Sequence, residues 1–175
     1  MKRSAALGFL LAGFLATSAA PPPADYTVLI KGGTIYDGSG GAPFVGDVAI
    51  KGDKIVYVGP HAPGKAARTV DATGKAVSPG FVNMLSWAVE SLIADGRGMS
   101  DTMQGVTLEV FGEGDSMGPL TPVMKANAIK RQGDLKYPIR WTSLAQYLDY
   151  ITKKGVTPNV ASFVGATTVR VHELG

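Results

Sequence analysis

Cysteine is missing from the 175 residues, and histidine occurs only twice, at His61 and His172. The first absence excludes a disulfide framework, a thiolate metal site and a lipid-modified cysteine near the N-terminus. The second leaves no histidine pair at metal-ligand spacing. His61 lies in a Pro/Gly loop and His172 stands beside Glu173, so each reads as a surface residue. Also lacking are a concentrated block of basic residues and any low-complexity stretch beyond Pro21-Pro22-Pro23. The first argues against nucleic acid as a partner and the second against disorder. With 45% hydrophobic residues, the chain can build a sizeable core.

What is present begins with Lys2 and Arg3, followed by the uncharged apolar run Ala5 to Ala16 and the small residues Thr17, Ser18, Ala19 and Ala20. This is the layout of a Sec-type signal peptide. The run is shorter than the ~20 apolar residues of a membrane-spanning helix. Residues 1–19 are therefore expected to be removed by a cut near Ala19, leaving residues 20–25 as a linker and no stable membrane anchor. An uncleaved N-terminal anchor is the alternative, and both place the remainder outside the cytoplasm, periplasmic or secreted. Cleavage would leave 15 basic against 14 acidic residues.

Residues 26–78 read as a small β module. Tyr26 to Lys31 is β-rich, Gly32-Gly33 turns it, and Thr34 to Tyr36 continues it. Val48–Lys51 and Lys54–Val58 flank Gly52-Asp53, a two-residue hairpin turn. A further strand, Thr69 to Asp71, runs to the Ala72-Thr73-Gly74 turn.

After Pro79-Gly80 the rhythm becomes strand, helix, strand, helix over residues 79–175. Phe81 to Leu85 predicts a short strand, followed by a helical stretch broken by Gly96 and Gly98 and stopped by Gly105. Val106 to Phe111 is a second strand. Thr121 followed by Pro122 marks a helix start, running to about Gln132. Ser143 and Gln146 form a capping box, and Leu144, Tyr147, Leu148 and Ile151 recur at helical spacing up to Gly155. Asn159 to Val164 is the third strand. Such alternation implies parallel strands joined by right-handed crossovers. Three units do not close a barrel of eight strands and about 250 residues. The expected fold is thus α/β with a β module, the second part being the first three β/α units of an incomplete (β/α)8 TIM-like barrel. A sheet left open in this way would also carry bare apolar faces.

In parallel α/β architectures, ligands gather at the carboxyl ends of the strands. Those ends carry Asn83-Met84-Leu85-Ser86-Trp87, Gly112-Glu113-Gly114-Asp115-Ser116 and Gly165-Ala166-Thr167-Thr168. Only the second loop is chemically rich. Glu113 sits between glycines that allow close backbone approach, and a carboxylate is a hard oxygen donor for a divalent cation. By position alone, Glu113 is either a metal ligand or part of a solvated turn. Ser116 could contact substrate or cap the loop. Glu90 with Asp95 reads as a solvated helix face, and Trp87 and Trp141 as core or interface aromatics.

The run Val28-Leu29-Ile30-Lys31-Gly32-Gly33-Thr34-Ile35-Tyr36-Asp37-Gly38, the hairpin Ile50 to Ile55, and Asp71-Ala72-Thr73-Gly74 leading to Val77-Ser78-Pro79-Gly80-Phe81-Val82 resemble the start of an amidohydrolase-superfamily enzyme. Gln104-Gly105-Val106-Thr107, the Gly112–Ser116 loop with Pro119, and Val164–Arg170 are most similar to the D-aminoacylase (N-acyl-D-amino-acid deacylase) branch. The resemblance implies a β-sandwich built from both chain ends and a metal-bearing (β/α)8 barrel. It also implies hydrolysis of an amide C–N bond in an N-acyl-D-amino acid or related small molecule. The implied cofactor is a divalent metal, zinc foremost, which polarises the carbonyl and supplies hydroxide near neutral pH while a carboxylate moves the protons.

This chain departs from the superfamily pattern in ways that matter. Where the superfamily carries His-x-His on the first barrel strand, Leu85 and Trp87 stand, and Asn83 replaces the usual Asp. Neither Leu nor Trp ligates a metal, so no two-metal centre is expected. Glu113 occupies the place of a cysteine ligand, and a carboxylate there makes a harder site, less selective for zinc. Ala166 stands where the branch has histidine, leaving substrate specificity open. The histidine ligands of later strands and the acid/base aspartate are not in this chain, so the 175 residues alone are expected to be inactive. The alternative is a non-catalytic exported binding or scaffold module derived from an amidohydrolase.

Overall fold

The computed structural model describes residues 24–175. The signal-peptide expectation for residues 1–19, with most of the linker, lies outside the described residues. The chain divides into two compact units between Val77 and Ser78.

The first unit is a five-stranded sheet of β1 (Tyr26–Ile35), β2 (Phe44–Lys51), β3 (Lys54–Gly59), β4 (Ala66–Asp71) and β5 (Ala76–Val77). Its order is β3-β2-β1-β4, with β5 also pairing with β1. The hairpin read at Gly52-Asp53 closes with Lys51 opposite Lys54, and Gly52 adopts φ +63°. Tyr26 to Ile35 is one continuous strand rather than two pieces about a turn. The register against β2 slips between Ile30 and Gly33, so Gly32-Gly33 forms a β-bulge. Gly32 accommodates it at φ +72°, a conformation that costs glycine little.

A bulge leaves a strand N–H without its ladder partner. Asp47 supplies the missing acceptor: its carboxylate takes the Gly32 N–H at 2.9 Å and the Ala62 N–H at 3.0 Å. Asp47 is 3% exposed. Burial works against its ionisation, but the Ala62 and Gly32 amides, aided by His61 and Lys31, hold its carboxyl below the usual aspartate value. The apolar centre beside it is small: Leu29, Ala49 and Ala62 against Tyr26, Tyr57 and Ala66.

The second unit contains the parallel sheet β6-β7-β8, formed by Phe81–Asn83, Val106–Phe111 and Asn159–Ser162. Helices α1 (Val89–Ala94) and α2 (Met99–Thr102) connect β6 to β7; α3 (Pro122–Arg131) and α4 (Leu144–Lys154) connect β7 to β8. At α3 the Thr121 side chain accepts the Met124 N–H, with Pro122 at the first helical position. The capping box of α4 is complete: Ser143 Oγ accepts the Gln146 N–H at 3.2 Å, and Gln146 Oε1 accepts the Ser143 N–H at 3.1 Å. Helix α4 buries Tyr147 and Ile151 against Leu92, Ile93, Phe111 and Trp141. Ile151 is fully buried; its truncation to Ala would cost about 2–5 kcal/mol through lost burial and a cavity.

In this second unit three expectations are corrected. The first strand ends at Asn83 rather than Leu85, and the third at Ser162 rather than Val164. The segment read as a loop at Ala166-Thr167-Thr168 opens a further helix, α5 (Ala166–Leu174), with Gly165 at its N-cap. Trp141 is 2% exposed and belongs to the core, packed with Tyr147 and Tyr150 at centroid distances of 5.2 and 5.0 Å. Trp87 is instead 77% exposed.

One face of the β6-β7-β8 sheet carries the helices. Phe111 and Val160 pack into their apolar cluster, and Glu109 shares that face, two residues from Phe111 and directly beside Val160 in the register. Glu109 is fully buried, and neither carboxylate oxygen has a hydrogen-bond partner among the described residues.

Candidate functional site

The loops after β6, β7 and β8 are held together by backbone first. The Ser86 N–H donates to Val110 O at 3.0 Å, tying the loop after β6 to the end of β7. The Phe163 N–H donates to Phe111 O at 2.9 Å, doing the same from β8. Gly112 turns the chain out of β7 at φ +83°, and a side chain there would collide with the Phe163 carbonyl oxygen. Gly165 answers it across the gap, since a Cβ there would run into the Gly114 carbonyl. Both glycines are therefore required by close approach of the two loops, and Gly112 also by its backbone angle.

Ser116 fastens the same loops through its side chain. Its Oγ donates to Gly118 O at 2.6 Å and accepts the Gly165 N–H at 2.9 Å. Its own N–H donates to Thr168 Oγ1 at 2.8 Å, and Thr167 N–H reaches Gly114 O at 3.1 Å. The hydroxyl proposed for substrate contact is thus already engaged as donor and acceptor. Thr168, 4% exposed, is the partner that sequence reading passed over, because it lies 52 residues away in a segment read as loop.

The result is that Glu113 and Asp115 project from an anchored loop, both exposed. They share a small crevice with Leu85, Ser86 and Trp87. A second cavity of about 280 Å³ continues from it, lined in part by Trp87, Val89, Asp115 and Ser116. Among the described residues no three His, Cys, Asp or Glu side chains converge on a point that could hold a cation. Glu113 is therefore available as a donor, but the described residues do not by themselves fit a metal centre. Leu85 and Trp87 contribute apolar surface to the crevice.

The other titratable candidates lie elsewhere. His61 belongs to the first unit, 3.6 Å from Asp47 with its side chain 77% exposed. His172 contacts Glu173 on α5 at 2.8 Å. Glu90 accepts the Tyr137 hydroxyl at 2.7 Å; burial, helped by that carboxylate, raises the Tyr137 pKa. Asp95 forms a two-toothed pair with Arg97, which lowers its carboxyl to about 2. Glu90 and Asp95 thus have separate partners and do not form a catalytic pair.

No family model matches the chain. It is 34% identical over 156 residues to an N-acyl-D-aspartate deacylase of Alcaligenes xylosoxydans xylosoxydans, a match covering 87% of this chain and 30% of that protein. It superposes on the crystal structure of a D-aminoacylase with a TM-score of 0.70 at 27% identity, covering 85% of this chain and 31% of the other. The chain is a relative of the D-aminoacylase-type amidohydrolases. An N-acyl-D-glutamate deacylase from Bordetella bronchiseptica, solved with zinc and a phosphonate mimic of the tetrahedral intermediate, superposes at TM-score 0.68 and 25% identity over 83% of this chain and 30% of its own. The chain thus spans about 30% of the length of the D-aminoacylase-type relatives it matches.

Proposed function

We propose that this chain serves an exported metal-dependent amidohydrolase that cleaves the amide C–N bond of an N-acyl-D-amino acid. In this reading Glu113 is one ligand of a divalent cation, zinc foremost, and the remaining ligands and the proton-carrying aspartate come from outside the described residues. The β module is one part of a composite β-sandwich, and the β6-β7-β8 unit is the opening of a (β/α)8 barrel. The observation that supports this best is the placement of Glu113: an exposed carboxylate on a glycine-flanked loop at the carboxyl end of β7, in a chain similar to a deacylase solved with zinc. Ser116 is assigned to holding that loop rather than to contacting substrate, since its hydroxyl has partners on both sides.

Two experiments test this. The purified 175-residue chain with added zinc is expected to leave N-acyl-D-aspartate intact, and turnover would refute its dependence on further ligands. In a version extended to the length of its relatives, Glu113→Ala is expected to abolish stoichiometric zinc uptake together with hydrolysis. Undiminished uptake would remove Glu113 from the ligand set. Absence of both uptake and hydrolysis in the unmutated extended chain would instead favour a non-catalytic binding module, the reading that Leu85 and Trp87 at the expected histidine positions support.

A further inference from the structure

The cavity beside the Glu113 crevice has walls of a definite character. Trp87, Val89, Phe111, Met117 and Tyr147 supply large apolar side chains around about 280 Å³. Most of its polar lining is already satisfied: Glu90 accepts from Tyr137, Ser116 is engaged at Gly118 and Gly165, and Ser162 Oγ donates to Phe163 O at 2.8 Å. The remaining polar groups are Asp115, an exposed carboxylate, and the Tyr147 hydroxyl, buried and without a hydrogen-bond partner among the described residues. Apart from the Tyr147 hydroxyl, such a lining offers a guest apolar surface, and Glu90 with Asp115 would repel a second carboxylate.

Size narrows the guest further. The volume falls just short of the roughly 300–1,000 Å³ typical of sites for drug-sized ligands, which suits one apolar tail better than a whole substrate. Trp87, Val89 and Asp115 line both this cavity and the crevice that contains Glu113, so a tail lying here would leave its polar head beside that carboxylate. Trp87, 77% exposed, stands at the junction, where a large apolar side chain without cover is suited to contacting a ligand. Met117 adds a flexible, polarisable wall able to adapt to different tails.

Resting on the deacylase reading above, we propose that this cavity receives the acyl tail of the substrate. The preferred substrates are then N-acyl amino acids with medium-chain or aryl acyl groups rather than acetyl, and Trp87 is the residue that sets this preference.

The test reads binding and so needs no metal. The 175-residue chain is titrated with the neutral-headed ligands N-octanoyl-D-alaninamide and N-acetyl-D-alaninamide by calorimetry, so that Glu113 and Asp115 do not repel the head. Octanoyl is expected to bind at least tenfold more tightly, since each buried methylene contributes up to about fourfold. Trp87→Ala should remove most of that advantage, and Trp87→Phe should restore it. Equal affinity for the two ligands, no binding of either, or a preference that survives Trp87→Ala overturns the assignment. If Trp87→Ala fails to fold, the unmutated chain still decides: a brominated octanoyl ligand should quench the emission of exposed Trp87, and unquenched emission refutes the proposal. Zinc uptake dependent on Glu113 without a chain-length preference would defeat this inference alone. A chain-length preference without such uptake would defeat the deacylase reading alone.

Discussion

Each unit of the chain buries a carboxylate, and the two are treated in opposite ways. Asp47, in the β module, stands against a bulge and takes two backbone N–H groups that would otherwise lack acceptors. Glu109, under the helices of the second unit, is more deeply buried and has no hydrogen-bond partner among the described residues. Burial by itself says little about whether a charged side chain helps or harms. What decides is whether the backbone offers it hydrogen bonds, because desolvation of an unpaired carboxylate costs more than burial of the apolar atoms returns.

The sharpest way to break this comparison is to remove Asp47. Asp47→Ala is expected to destabilise the β module by about 2–4 kcal/mol, the loss of two charge-assisted hydrogen bonds with their donors left unsatisfied, read from chemical denaturation. The pH dependence has a definite sign. Because the native pKa of Asp47 lies below its unfolded value, its contribution is complete above about pH 4 and is lost as pH falls through the lower native pKa. Acid titration of stability should therefore show a component below about pH 4 that is absent from Asp47→Asn; identical acid profiles would contradict the clamp.

Next in size is the opposite change. Glu109→Met is expected to stabilise the second unit by about 1–3 kcal/mol, since an apolar side chain of similar length replaces an unpaired buried carboxylate. A loss of stability in the thermal melt would show that the carboxylate has a favourable partner and would erase the contrast with Asp47. The smallest effect expected is at the α4 cap, where Ser143→Ala should cost about 1 kcal/mol by thermal denaturation. A cost near zero would mean that packing of Tyr147 and Ile151 alone fixes the start of the helix.

Legibility in the sequence follows the range of the interactions. The Gly52-Asp53 hairpin, the Thr121-Pro122 helix start and the Ser143/Gln146 capping box are decided within a few residues, and sequence reading placed them where the structure has them. Helix α5 escaped notice because its first turns contain Thr167, Thr168 and Val169, β-branched residues after a glycine, with no side-chain cap to announce the start. The bulge at Gly32-Gly33 looked like a turn because its stabilising partner, Asp47, lies 15 residues away. For the candidate site, Glu113 is singled out by its place after a strand. The cavity beside it is not legible, because its walls come from points as far apart as Trp87 and Ser162, and sequence alone gives Trp87 only as a core or interface aromatic.

The fastening of Ser116 to Gly165 and Thr168 has a consequence for how such a chain can be changed. Gly112–Ser116 and Gly165–Thr168 are separated by some fifty residues of sequence, yet a side chain at Gly165 would need the space of Gly114 to Ser116, and Ser116 is hydrogen-bonded to both Gly165 and Thr168. Neither is a free module. A loop transplanted from a relative to alter the surroundings of Glu113 would have to travel with its counterpart at the head of α5, as a matched pair, or the recipient would receive the residues without their arrangement.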